Sequence, residues 1–101
     1  MKEVKFKEWN CYVFFTEYVN SKNVAIRLME IETGEAIGTC TVNLPEVVES
    51  YKPLDVVVIK EYGENEGILK VLVDAKIVKR VGLDIVEMNE FGSLAYPCTI
   101  L

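Results

Sequence analysis

The chain reads as an α+β domain: a curled antiparallel β-sheet of about five to six strands, with one main α-helix packed on one face. Three observations lead there. Residues Val24 to Leu44 alternate in the period of a strand and turn back on themselves. Ile68, Leu69, Leu72 and Ala75 recur at helical spacing. Leu94, Tyr96, Cys98 and Ile100 alternate again near the end of the sequence. With 101 residues, half of them apolar, there is material for one core and one domain, 1–101.

The elements follow in order. The opening run is rich in aromatics, and a strand from about Asn10 to Val19 sets Cys11, Val13 and Phe15 on one face and Tyr12, Phe14 and Tyr18 on the other. Aromatics on both faces suggest a strand covered on both sides, or one that twists through the core. Asn20-Ser21-Lys22-Asn23 is a turn cluster. The hairpin beyond it can close in two registers across Ile31-Glu32-Thr33-Gly34-Glu35. A three-residue loop with Gly34 left-handed opposes Val24 to Val42, Ile26 to Cys40 and Leu28 to Gly38, and gathers the small and apolar residues on one face. That register is the expectation.

Pro45 stops the strand, and residues 45–55 read as an acidic loop with room for one helical turn. Val56 to Lys60 is a short apolar strand. Gly63 is then the expected N-cap of the helix, with Glu66 in the capping-box position and Glu64 beside it in the first turn. Lys70 and Asp74 form an i,i+4 pair on the outer face, and the helix is expected to end near Lys76. Val78 to Val86 reads as a strand interrupted at Gly82. Pro97 argues that the final strand lies at a sheet edge, and Tyr96 before it modestly favours a cis bond there.

Composition narrows the function classes. The chain has no histidine, which removes Ser-His-Asp and Cys-His nucleophiles and His-ligated metals. None of the three serines sits in a Gly-x-Ser-x-Gly elbow, and no glycine-rich phosphate loop occurs. Three widely spaced cysteines, Cys11, Cys40 and Cys98, suit buried reduced thiols better than disulfides or zinc. Carboxylate pairs such as Glu30/Glu32, Glu61/Glu64 and Asp84/Glu87 match no calcium loop. A non-enzymatic protein without cofactor is the expectation.

Net charge is −5, and from residue 31 onward twelve acids face six bases. Only Arg27 and Arg80 are arginines, so no basic face exists for direct nucleic-acid binding. No apolar run approaches the roughly 20 residues of a membrane span. The start MKEVKFKEWN mixes acids with lysines and does not resemble a signal peptide, so a cytoplasmic location is expected. Six acids and two bases lie between Glu46 and Glu66. Glu46, Glu49, Glu61, Tyr62, Glu64, Asn65 and Glu66 are therefore the candidate partner-binding residues, whose carboxylates could imitate phosphates before a basic groove.

The segments NVAIRLMEIETGEAIGTCTVNLP (23–45) and IKEYGENEGILKVLVDAKIV (59–78) resemble a family of short proteins of unknown function carried by bacteriophages, plasmids and conjugative elements, mostly of gut bacteria. The family pattern runs Asn-Val-Ala-Ile, Thr-Val-Asn-Leu-Pro, then Ile-Lys-Asp-Tyr-Ser-Glu-Asn-Glu-Gly, and the likeness covers about residues 20–101. Glu61 stands where aspartate is usual and Gly63 where serine is usual. The resemblance implies mobile DNA in a bacterial cytosol. In that setting the expected role is a protein-binding antagonist of a host nuclease or defence factor, such as a CRISPR or restriction enzyme. A small-molecule or metal-binding module, with Tyr62, Asn65 and Arg27 converging in the cup of the sheet, is the alternative; monomer and homodimer both stay open.

Overall fold

A computed structural model describes residues 2–101, and the fold is α+β. The strands are β1 (Lys2–Phe6), β2 (Trp9–Glu17), β3 (Val24–Glu30), β4 (Ala36–Thr39), β5 (Val56–Lys60), β6 (Val78–Arg80), β7 (Val86–Glu87) and β8 (Leu94–Ile100). Two α-helices, α1 (Pro45–Ser50) and α2 (Ile68–Asp74), and a 3-10 turn at Gly63–Asn65 complete the described elements. The strands form two sheets rather than one, ordered β1-β2-β3-β4 and β5-β8-β6, with β7 also on β8. Every pairing is antiparallel.

The chain leaving β4 stitches the sheets together. Thr41 bridges Ile59, the Val42 N–H donates to the Val58 carbonyl at 3.0 Å, and the Lys60 N–H donates to the Cys40 carbonyl at 2.8 Å. Across this seam the two sheets share the main apolar cluster. Helix α2 lies against β1, β5 and β6 and closes it, burying Ile68 and Leu72 in the cluster that holds Val13, Ile26, Leu28 and Ile59. The expected stripe is thus the packed face. Cys11, Cys40 and Cys98 are buried in the same core with free thiols.

Strand β1, which the sequence reading left out, is joined to β2 by the two residues Lys7 and Glu8, with Phe6 paired to Trp9. Along β2, Cys11 and Val13 are buried as expected, but Tyr12 and Phe14 are only half-buried, so the sheet is covered on one side. Phe15, two residues beyond Val13, stays 51 % exposed.

The expected hairpin register holds in its body, where Leu28 opposes Gly38 and Arg27 opposes Thr39. Its loop is a residue longer than expected. Glu30 takes the Glu35 carbonyl, Gly34 turns left-handed at φ 72, and a bulge between Leu28 and Met29 restores the register. Val24 pairs with Glu17 rather than Val42, since Val42 has already crossed to β5.

The helical turn expected after Pro45 is present, and two further expectations are corrected. Residues 45–50 form a helix with Pro45 in its first turn, packing Val48 on Val58 and Ala95. Pro97 lies in a central strand, opposite Val58 on one side. In an antiparallel ladder a residue's N–H and C=O point to the same side. The Pro97 carbonyl accepts from the Val81 N–H at 3.0 Å, so its missing N–H faces the place where β6 has just ended. The ladder loses nothing there. The cis peptide bond is Lys52–Pro53, not Tyr96–Pro97.

Candidate functional site

Within the segment from Glu61 to Leu69 the helix starts later than its sequence suggests, and this shapes the site. Helix α2 begins at Ile68, not at Gly63, and Ala75 caps its end. Tyr62 is extended, Gly63 and Asn65 form the short turn, and Gly67 precedes the helix at φ 97, a conformation that suits only glycine at low cost. No serine-type cap serves the helix. Instead the Glu61 carboxylate folds back: Oε2 accepts from the Gly67 N–H at 2.6 Å and Oε1 from the Leu69 N–H at 2.7 Å. These donors belong to the group a helix leaves unsatisfied at its start. Glu61 is therefore a structural cap and not a free acid for a partner.

The remaining candidate residues divide. Asn65 donates through Nδ2 to the Thr39 carbonyl at 2.7 Å and pins the turn to β4. Lys7 reaches from the β1–β2 turn to donate to the Glu64 carbonyl at 2.7 Å. Glu64 and Glu66 have exposed side chains. Glu46 and Glu49 lie exposed on α1, which packs on β5 and a separate apolar cluster. The expected acidic face is thus split between α1 and the 61–66 turn.

Two clefts flank that turn and share no lining residue. The first, about 330 Å³, is bordered by Glu61, Tyr62 and Glu66 on one side and by Phe91, Ser93 and Tyr96 of the last hairpin on the other. Its aromatic rings already attract cations: Lys60 Nζ lies 5.1 Å from the Tyr62 centroid, and the Arg80 guanidinium 4.8 Å from that of Tyr96. Phe91 stands 85 % exposed at the rim. The second cleft, about 290 Å³, includes Glu64 and Asn65 with Phe6, Trp9 and Gly38. Tyr62, Asn65 and Arg27 do not converge, since Arg27 is exposed on β3 and the other two border different clefts.

Sequence reasoning missed Phe91, Ser93 and Tyr96. The signal was present as a large aromatic set in the turn-forming run Asn89-Glu90-Phe91-Gly92-Ser93, where a solvated loop has no packing use for it.

Burial pushes the Cys40 thiol up to about 12, helped by Cys11, and the Cys98 thiol up to about 11, with Arg80 opposing. Cys11 is also raised, by burial first and Glu30 second. Protonated thiols in a core are poor nucleophiles. Among the described residues no group of three Cys, Asp or Glu side chains is arranged to hold a metal ion, and no helix is long and apolar enough to cross a membrane. No protein-family model, curated protein or solved structure matches the chain.

Proposed function

We propose that this chain is a non-enzymatic binding protein that antagonises a host nuclease or other defence factor in the bacterial cytoplasm by occupying a basic part of its surface. The carrying observation is the first cleft, where the exposed Phe91 and Glu66 border the rings of Tyr62 and Tyr96. A lysine or arginine from a partner would find the Glu66 carboxylate and the open ring of Phe91 together, since Lys60 and Arg80 already lie over Tyr62 and Tyr96; a carboxylate beside an aromatic face holds cations through charge and ring quadrupole. The resemblance of residues 23–45 and 59–78 to proteins of mobile DNA supports the choice of partner. Glu46 and Glu49, on α1, and Glu61, engaged as a cap, lie outside this binding surface. Glu66 and Tyr62 are kept, and Phe91 and Tyr96 join them.

The test is affinity capture from a bacterial host lysate at low and high salt, because a contact between exposed charges weakens as ions screen it. The expected result is a nuclease or DNA-processing protein retained at low salt and lost with the Glu66→Lys, Phe91→Ala double variant, whose melting matches the parent. Recovery of no such protein, or equal recovery by the double variant, overturns the proposal.

A further inference from the structure

The second cleft carries a different chemistry. Its floor is apolar, built from Phe6, Leu28, Ile37 and Ile68, and Trp9 forms a wall. Gly38, opposite Leu28 on β4, keeps it open. Gly38 is not among the residues with positive φ, and an added Cβ would meet only Asn65 Oδ1, at 4.0 Å. The backbone therefore does not require glycine here; what the missing side chain provides is space.

Three polar residues, Lys7, Glu64 and Asn65, line that space. Lys7 adopts φ 55, a left-handed conformation that L side chains rarely take, and so swings its ammonium from the β1–β2 turn to the Glu64 carbonyl. Asn65 is held by its Nδ2 on Thr39, which leaves Oδ1 as an acceptor on the Gly38 side. The Glu64 carboxylate has no hydrogen bond or ion pair among the described residues. One ammonium, one carboxylate and a fixed amide oxygen around an apolar floor complement a zwitterion with an apolar body. A lone anion would meet Glu64, and a lone cation would meet Lys7. A volume of about 290 Å³ is at the small end of ligand pockets, suited to a molecule well below nucleotide size.

We infer that this cleft binds a free α-amino acid with an apolar or aromatic side chain, its carboxylate on Lys7, its ammonium on Glu64 and Asn65 Oδ1, and its side chain against Trp9. The inference stands apart from the protein-binding proposal, since the two clefts share no residue.

Trp9 is the one tryptophan of the chain, so its fluorescence reports this cleft directly. The probes are L-phenylalanine, 3-phenylpropionate, which lacks the ammonium, and phenethylamine, which lacks the carboxylate. L-Phenylalanine is expected to give a saturable change at millimolar concentration, with each truncated probe at least about tenfold weaker, the factor one charge-assisted hydrogen bond supplies. Gly38→Leu should abolish the change without lowering the melting temperature, because the side chain fills the cleft. Lys7→Gly should raise the melting temperature by relieving the left-handed strain, yet weaken binding at least about tenfold. No saturable change, equal binding of all three probes, or undiminished binding by Gly38→Leu overturns the inference.

Discussion

Replacing Glu61 by alanine separates a capping carboxylate from a partner-binding one. The substitution removes both acceptors of the Gly67 and Leu69 N–H groups. A lost N-cap side chain costs about 0.5–2 kcal/mol, and a hydrogen bond to a charged group about 1.5–3 kcal/mol. The two bonds do not sum at full value, because the Gly67 contact is exposed and the Leu69 contact only partly buried, so water replaces much of what is lost. The upper end of the capping range, about 2 kcal/mol, is the expected cost. At about 4–8 °C per kcal/mol for a domain of this size, the melting temperature should fall by roughly 8–16 °C. Glu61→Gln keeps one carbonyl oxygen and should lose about half as much. Circular dichroism melts at pH 7 measure both, and Glu66→Ala, at an exposed position, serves as the control expected within about 0.5 kcal/mol. Should Glu61→Ala melt with the parent, the carboxylate is not engaged with the helix, and the assignment of Glu61 as a cap fails.

Three further outcomes are expected. Leu72→Ala, in a fully buried position of α2, should cost about 2–5 kcal/mol, measured by urea unfolding; a smaller loss would mean that α2 does not seal the core. The three thiols should resist alkylation at pH 8 in the folded protein and react together in urea. Their protons are held more firmly folded than unfolded, so stability is full below the unfolded value of about 8.5 and declines as pH rises through the folded values of about 11 and about 12; a melting temperature constant from pH 8 to pH 11 would contradict this. Lys70→Ala breaks a pair 82 % and 62 % exposed and should change stability by no more than about 0.5 kcal/mol.

Elements with a complete local pattern were legible. The stripe on α2, the alternation of β3 and the apolar run of β5 each carry their period within one segment and the structure uses them as their residues suggest, whereas in β8 the strand is present but Ala95, Pro97 and Cys98 are the buried residues, because α1 covers its other face. What escaped depends on partners distant in sequence. Strand β1 turns into β2 through Lys7 and Glu8, where neither glycine nor asparagine marks a hairpin. Pro97 looked like an edge residue because the rule counts its missing N–H, whereas its neighbours decide whether that N–H has an acceptor to miss. The division into two sheets rests on the crossing at Thr41, a single bridge with no signature in the sequence.

The candidate site shows the same division between local and distant information. The acids of residues 61–66 were visible as a charge concentration, but charge alone does not say which carboxylates are already spent. A cap six residues before its first donor, Glu61 accepting from the Gly67 N–H, lies outside the three-residue spacing by which capping boxes are recognised. Once Glu61 closes the helix, Glu66 is left beside Phe91 and Tyr96, and Glu64 beside Lys7 and Trp9. One turn thus presents its acids to two unrelated clefts. A binding surface read as one acidic patch is better understood as two small sites divided by the Gly63–Asn65 turn, and mutations at Glu64 and Glu66 should have separable effects, the first on Trp9 fluorescence and the second on partner capture.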